Sequence, residues 1–274
     1  MKERVVSDNG KRSLRLLGVF AAIVLSLVLI SLCIKVVATV QKSTFDGIHR
    51  FVLFISDAKG QSRLISFDPS LGNTLMLTLR GISSQKKIIG ALALPVDGVV
   101  RVPTQLREDE SLPTVLISMI LDPRTSYAEV TLYDILRLYL LSLHLPARDV
   151  RASTLFVKAD MHLPDTLKKY FLDRGILTDN QAIAIMNGAG ISGLGQQFEG
   201  ALLLLGANVV SVTTTRLTQE PTYIYYSGKK SYTVNRLERI LNQRAEEGDT
   251  GVADILVVIG KRSLSNDLFA TMKI

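Results

Sequence analysis

The stretch QAIAIMNGAGISGLGQQFEGALLLLGANVVSV, residues 181–212, decides the fold class of the C-terminal part of this chain. Alternating apolar residues at 181–186 predict a strand, and the glycine-rich run at 187–193 predicts a tight turn that leads into a helix. Gly206 ends that helix, and residues 209–212 predict a second strand. A strand, a helix and a second strand in this order indicate an α/β unit.

Three further elements follow this unit along the chain. Residues 222–226 (TYIYY) and 254–259 (DILVVI) predict strands, and residues 231–245 between them predict a helix. The resulting order β-α-β-β-α-β occurs in the split βαβ arrangement and in related small α/β sandwiches. Because the order alone does not distinguish the two, the sequence predicts a small α/β domain over residues 180–265.

The region before this domain begins with three predicted strands, at residues 51–56, 63–67 and 74–79. The last two are joined by DPSLGN, residues 68–73, in which an early proline and a late glycine are typical of a turn. The remaining predicted elements are strands at 88–94, 98–102 and 153–159, and helices at 129–143 and 163–174. Gly175 is expected to end the last helix and to begin a linker, so that a mixed-sheet α/β domain covers residues 51–175.

The N-terminal segment contains LLGVFAAIVLSLVLISLCI, residues 16–34, nineteen residues without a charge. As a helix it is about 28 Å long, close to the ~30 Å thickness of the hydrocarbon layer of a membrane. A buried core helix would show a polar stripe, and a cleaved signal peptide would have a shorter apolar run. We therefore predict a single transmembrane helix over residues 14–40, followed by a polar stalk over residues 41–50.

The distribution of charge predicts the orientation of this helix. Of the net charge of +7, residues 1–40 contribute +4. Five basic residues precede the span, namely Lys2, Arg4, Lys11, Arg12 and Arg15. By the positive-inside rule, residues 1–13 form a cytoplasmic tail in the cell membrane and the rest of the chain is extracytoplasmic. The outer part is then nearly neutral, so a nucleic-acid partner is not expected.

Composition excludes several classes of protein. Apolar residues make up 47% of the chain, which excludes general disorder, and a single cysteine excludes internal disulfides and cysteine-rich metal sites. The histidines at 49, 144 and 162 are scattered and lack carboxylates at metal-ligand spacing, so no metal site is predicted.

The glycines Gly188, Gly190 and Gly193 have the spacing of a dinucleotide-binding loop between a strand and a helix. However, the strand that follows ends in VTTT, residues 212–215, without a carboxylate that could bind a ribose. A tight strand-to-helix turn is therefore favoured over dinucleotide binding.

Tyr223 and Tyr225 are a second candidate for ligand binding, because residues two positions apart in a strand lie on the same side of it. The glycine-rich turn and these tyrosines together form the predicted binding site. The candidate binding residues are Asn187, Gly188, Gly190, Gly193, Tyr223 and Tyr225.

The C-terminal third resembles the C-terminal domain of LytR-CpsA-Psr proteins. The similar pieces are the strand, the Asn-Gly-x-Gly-x-x-Gly turn and the helix, then YYSG, and then ADILVVIG. Residues 51–160 resemble a degenerate, shortened form of the catalytic domain of the same family. The similar segments there are FVLFISDA, LISFDPSLGNTLMLTLRG and YDILRLYLLSLHLPARDVRASTLFVKAD.

The resemblance implies a function in the cell wall. Family enzymes transfer phosphate-linked glycopolymers from a polyprenyl carrier to the wall, using arginines on the pyrophosphate and acidic residues that bind a metal. Arg80 falls on one such arginine and is a weak candidate for a catalytic residue. The expected acids fall on Gly60 and Gly81, which removes the oxygen ligands that Mg²⁺ would need.

The resemblance therefore implies a non-catalytic, membrane-anchored member of the family in cell-wall biogenesis, with no cofactor. A cell-wall glycopolymer or another envelope protein is its expected partner. The alternative is an active phosphotransferase that uses Mg²⁺ and takes its acids from Asp57, Asp97 or Asp109.

Overall fold

The computed structural model describes residues 6–70, 72–81, 84–107, 109–146, 149–158 and 163–272. The chain divides into two compact units, one up to Ser43 and one from Thr44 onward. The first unit is helix α1, Val6–Gln41. Its part Leu16–Gln41 is long and apolar enough to cross a membrane, and none of this part is buried within the protein. Residues 1–5 of the predicted cytoplasmic tail lie outside the described residues.

The second unit begins with a mixed six-stranded sheet, in the order β5-β4-β1-β2-β3-β6. Its strands are β1 Phe51–Asp57, β2 Ser62–Asp68, β3 Asn73–Arg80, β4 Gly98–Val102, β5 Ser126–Ala128 and β6 Val150–Phe156. The strands β1, β2 and β3 form two successive antiparallel hairpins, as predicted, whereas β4 and β6 add in parallel on either side.

Four helices accompany this sheet in the described part of the chain: α2 Gln85–Leu92, α3 Leu112–Leu121, α4 Leu132–Ser142 and α5 Asp165–Lys168. The next helix, α6 Arg174–Asp179, places its buried residue Ile176 in the core of the C-terminal part. Both faces of the sheet are covered. Leu53 and Ile55 pack in a core with residues of α3 and α4, while Val52 and Phe54 pack in a second core with residues of α2. Burial on both faces explains why β1 is a continuous apolar run instead of an alternating one.

The strand predicted at residues 88–94 is wrong, because this segment lies in α2 and the turn that follows it. Ile88, Ile89 and Leu92 are buried on one side of the helix, at a helical spacing, while Lys86 and Lys87 are exposed. A short apolar run does not by itself distinguish a buried strand from a buried helix, and here packing against the sheet decides for the helix.

The single helix predicted over residues 163–174 is also wrong, because the structure has the two short helices α5 and α6 instead. Gly175 lies in the first turn of α6, where its N–H donates to the carboxylate of the N-cap residue Asp173 over 2.9 Å. A Cβ at Gly175 would overlap the rings of Tyr232 and His49. The glycine therefore permits a close approach of three segments and does not end a helix.

Most of the predicted stalk is part of the second unit. Phe45 and Arg50 are 2% and 3% exposed. Arg50 forms an ion pair with Asp68 over 2.7 Å and donates from Nε to the carbonyl of Leu172 over 2.6 Å. The prediction of a polar stalk is therefore wrong for residues 44–50, because an aromatic ring and a paired arginine attach them to the first sheet.

The C-terminal part forms a second mixed sheet, in the order β10-β9-β11-β7-β8. Its elements are β7 Ala182–Asn187, α7 Leu194–Leu204, β8 Asn208–Thr214, β9 Tyr223–Tyr226, α8 Tyr232–Leu241, β10 Ala245–Glu247 and β11 Ile255–Ile259, followed by 3₁₀ helices at Lys261–Ser265 and Asp267–Met272. The α/β class is confirmed, and the strand β10 is additional. Because β7 and β8 are direct neighbours, the βαβ unit is not split, and the sheet is a related α/β sandwich.

This second sheet has helices on one face. Ile183, Ile224 and Val257 point to a core that also contains buried residues of α7 and α8. The residues that alternate with them point the other way and form what we call the open face. The open face consists of Ala184, Met186, Tyr223, Tyr225, Leu256 and Val258, and all of these except Val258 remain at least partly exposed.

Candidate functional site

Two stacked tyrosines form an aromatic surface on the open face. In β9, Ile224 enters the core, so Tyr223 and Tyr225 project from the opposite face of the sheet. Their rings are stacked, with centroids 5.8 Å apart and planes inclined by 15°. Tyr223 is 37% exposed. We call this pair the tyrosine platform.

The backbone around the platform holds the second ring in place. The N–H of Gly248 donates to the carbonyl of Tyr226 over 3.1 Å, which brings residue 248 beside β9. A Cβ at Gly248 would lie 2.9 Å from Cδ1 of Tyr225. Because only a glycine leaves room for this ring, Tyr225 is held between the backbone at residue 248 and the ring of Tyr223.

A shallow cavity of about 340 Å³ adjoins the platform, lined by Gln219, Pro221, Tyr223, Tyr225 and Val258. Val258 lies opposite Tyr223 in the pairing of β9 and β11. The cavity thus combines two aromatic rings with apolar side chains and one side-chain amide. A ligand with a flat apolar face and hydroxyl groups at its rim, such as a sugar ring, complements these groups.

The glycine-rich turn lies next to this cavity. The N–H of Gln219 donates to the carbonyl of Gly188 over 2.7 Å, and a Cβ at Gly190 would lie 3.4 Å from Oγ1 of Thr218. Asn187 is buried, and its side chain donates to the carbonyl of Ile191 over 2.7 Å. The turn therefore supports the segment that carries Gln219.

Two of these glycines have backbone conformations that favour glycine. Gly190 and Gly193 have φ values of +73° and +81°, and Gly193 is the N-cap of α7. The side-chain oxygen of Asn187 accepts the N–H of Ala189 over 3.2 Å, so the polar groups of Asn187 are used within the turn. These contacts fit a tight strand-to-helix turn.

The predicted site residues thus belong to two adjoining structures, the tyrosine platform and the glycine-rich turn. Sequence reasoning missed Gln219, Pro221, Gly248 and Val258. These residues come from three different segments that meet only through the pairing of β9 with β10 and β11. The proline directly before TYIYY was the one local signal near the site.

Arg80 lies at the end of β3, and its side chain is exposed with the guanidinium 5.9 Å from the centroid of the Phe156 ring. The next residue, Gly81, has a φ of +111°, and a Cβ there would lie 2.6 Å from the carbonyl oxygen of Val157. Gly60 also has a positive φ, +81°, in the turn after β1. This backbone excludes an acidic side chain at residue 81 unless the neighbouring strand shifts.

The other acids named above do not converge on Arg80. The carboxylate of Asp57 accepts two backbone N–H groups of the β1–β2 turn and a third from Leu106, after β4. Asp109 is exposed beside Arg107. Asp97 precedes β4 beside the start of β1, about 16 Å along the strand from Asp57, and it pairs with Arg236. Among the described residues, no group of three or more His, Cys, Asp or Glu side chains could hold a metal ion. His162 lies outside them.

A larger cleft of about 560 Å³ lies between the segment before β4, the end of α8 and the residues after β11. Its charged groups include both signs, and two of them form ion pairs within the protein. Lys261 pairs with Glu220 over 3.3 Å, and Asp267 pairs with Lys86 over 3.4 Å. The groups that line this cleft therefore match a single class of ligand less closely than the groups around the tyrosine platform do.

The fold and the site define a protein with an apolar N-terminal helix, two mixed α/β sheets and an aromatic surface on the second sheet. Residues 180–262 match the family model LytR_C, which is described as LytR cell envelope-related transcriptional attenuator. The match confirms the resemblance of this region to the C-terminal domain of LytR-CpsA-Psr proteins. It does not extend to residues 51–175, so the degenerate catalytic domain stays a prediction. No curated protein and no solved structure matches the chain significantly.

Proposed function

We propose that this protein is anchored in the cell membrane by α1 and binds a cell-wall glycopolymer on the outer side, without catalysing its transfer. The tyrosine platform on the open face is the observation that carries this proposal. The match of residues 180–262 to LytR_C supports a role in the cell envelope.

The anchor follows from α1 and from the charges that precede it. A helix of this length and apolarity suits the hydrocarbon layer, and a basic N-terminal tail favours the cytoplasmic side. The second unit would then be extracytoplasmic, where the polymers of the cell wall are found.

The platform suits a sugar because the stacked pair leaves the ring of Tyr223 exposed on the open face, where the apolar face of a sugar can pack against it. Contact with an aromatic ring contributes about 0.5–1.5 kcal/mol, or up to roughly a tenfold gain in affinity. The amide of Gln219 at the edge of the cavity supplies a donor and an acceptor for hydroxyl groups. Because the ring of Tyr225 is held by Gly248, little side-chain freedom is lost on binding.

The absence of catalysis is proposed from the surroundings of Arg80. The backbone at Gly81 leaves no room for an acidic side chain, and the carboxylate of Asp57 is used by backbone N–H groups. Because Asp57, Asp97 and Asp109 do not converge on Arg80, these three acids do not assemble a Mg²⁺ site beside it.

The test of binding uses the full-length chain in lipid nanodiscs and purified cell-wall glycopolymer, with affinity measured by co-sedimentation. Tyr223→Ala and Tyr225→Ala should each weaken binding by up to roughly tenfold. Tyr223→Phe keeps the ring and should bind nearly as well as the wild type. Equal binding by the wild type and both alanine variants would refute the platform as the site.

A second experiment separates binding from the phosphotransferase alternative. The same nanodiscs are supplied with Mg²⁺ and a polyprenyl-pyrophosphate glycan, and release of the polyprenyl phosphate is followed. We expect no release. Turnover that disappears in Arg80→Ala would establish the enzyme instead.

A further inference from the structure

Helix α4 carries an apolar stripe that the protein leaves in solvent. Four leucines along it are about half exposed, and they lie within an arc of about 80° on an ideal helix. They are Leu132 (46% exposed), Leu136 (40%), Leu140 (49%) and the C-cap residue Leu143 (52%). We call this stripe the leucine face. The opposite side of α4, including Ile135 and Leu138, is buried in the core below the first sheet.

The residues beside the leucine face suit a boundary between lipid and water. The guanidinium of Arg137 lies 5.7 Å from the centroid of the Tyr133 ring, and both residues are at the side of the stripe. Tyrosine and arginine at the edge of an apolar stripe are typical of helices that lie in the interface of a membrane. Ile48, which is 63% exposed, adds a further apolar side chain near the chain segment that Arg137 contacts.

The start of α4 is also the place where the chain enters the second unit. The N–H of Phe45 donates to Oδ1 of Asp134 over 3.0 Å, and Nη2 of Arg137 donates to the carbonyl of Asp46 over 3.0 Å. Residue 44 follows the last residue of α1, Gln41, by three positions. An extended chain of three residues spans at most about 10 Å, so the tether between α1 and the second unit is short.

We propose that the leucine face rests on the outer surface of the lipid bilayer, with its leucines at the boundary between headgroups and acyl chains. This proposal depends on the proposed function, because the bilayer is the one that α1 would span. A lipid surface is the expected partner of the leucine face for two reasons. The stripe begins next to residues 44–46, where the chain enters the second unit, and Tyr133 and Arg137 lie along its side. The contact would hold the second unit at a fixed tilt on the membrane.

The chain has no tryptophan, so single tryptophans report on their own positions without background. Full-length Leu136→Trp and Leu140→Trp are reconstituted into vesicles of phosphatidylcholine and phosphatidylglycerol whose acyl chains are brominated near the headgroup. A second set of vesicles carries the bromine near the chain ends and is used for Val24→Trp, in the middle of the apolar helix, which tests the anchor. Leu203→Trp is the matched control, because it is 52% exposed on α7 and its neighbour Leu204 packs on the opposite side of the first sheet from α4.

We expect quenching and a blue shift of the emission for residues 24, 136 and 140, and unchanged emission for residue 203. Quenching at 24 without quenching at 136 and 140 would overturn the proposal and leave the anchor intact. An unquenched residue 24 would overturn the anchor and, with it, this proposal. A blue shift at 136 that depends on protein concentration and not on bromine would show that a second copy covers the face, which also overturns it. Equal quenching at residue 203 would show that the second unit contacts the membrane without a preferred face, which also overturns the proposal.

Discussion

Asp97→Ala tests a buried ion pair that joins the two sheets of the second unit. Asp97 precedes β4 in the first sheet, and Arg236 lies in α8, which covers the second sheet. Their side chains are 5% and 1% exposed, and Nη2 of Arg236 lies 2.9 Å from Oδ2 of Asp97. Asp97 also accepts the N–H of Val52 over 2.8 Å, while Nε of Arg236 lies 3.5 Å from Asp173.

Removing one partner of a buried ion pair costs about 3–5 kcal/mol. The Asp97→Ala variant also loses the acceptor for the N–H of Val52, whereas Arg236 keeps Asp173 at 3.5 Å, so a loss within this range is expected. With a urea dependence of about 3 kcal/mol/M, the midpoint of unfolding should fall by roughly 1–1.7 M.

The measurement is urea unfolding of the full-length chain in detergent micelles, followed by circular dichroism. Asp165→Ala is the control, because Asp165 forms an ion pair with Lys168 over 2.7 Å but is exposed in solvent, so its loss should leave the midpoint unchanged. A midpoint for Asp97→Ala equal to that of the wild type would refute the reasoning that this pair holds the two sheets together.

Three further predictions concern stability and binding. Gly81→Ala should lower the free energy of unfolding by more than Gly228→Ala, for which a loss of about 1 kcal/mol is expected. Both glycines have a positive φ, but only a Cβ at residue 81 would meet a carbonyl oxygen. Equal losses in urea unfolding would contradict this prediction. Gly248→Ala should displace the ring of Tyr225 and weaken co-sedimentation with glycopolymer while leaving the unfolding midpoint nearly unchanged, and unaltered binding would argue against the platform. Burial raises the pKa of Asp46, but hydrogen bonds from the backbone N–H groups of Ile48 and His49 and from the imidazole of His49 lower this pKa overall. The contribution of Asp46 to stability is therefore present above pH ~4 and is lost as the pH falls through the lowered pKa. Asp46→Asn should therefore show a smaller loss of stability than the wild type between pH 4 and 2, and parallel pH profiles would refute this.

Local patterns in the sequence predicted the elements whose signals lie within a few residues. The hairpins of β1, β2 and β3 follow from short apolar runs and from the turn residues between them. The turn between β7 and α7 follows from its glycines, and the strand β9 follows from alternation. The sequence predicts a strand in place of α2 because a run of four to eight apolar residues suits both a strand and a helix when it is buried. It predicts a helix end at Gly175 because a glycine that ends a helix and one that permits close packing have the same local sequence.

The candidate site was predictable only in part. The alternation in TYIYY placed both tyrosines on one side of a strand, but that pattern does not say whether the side faces a core or solvent. The answer depends on which face α7 and α8 cover, and this is a property of packing between elements far apart in sequence. For the same reason, no local signal connects Gly248 or Gln219 with the tyrosines.

The sequence by itself determined the apolar helix, its expected orientation and the α/β class, because these depend on local hydropathy, on charge and on periodicity along the chain. Only the tertiary structure decided the strand order of the second sheet, the exposure of the tyrosine platform and the leucine face, and the burial of the Asp97–Arg236 pair. Each of these depends on contacts between residues that are distant in sequence, and the free energy of such contacts is not encoded in any single stretch of the chain.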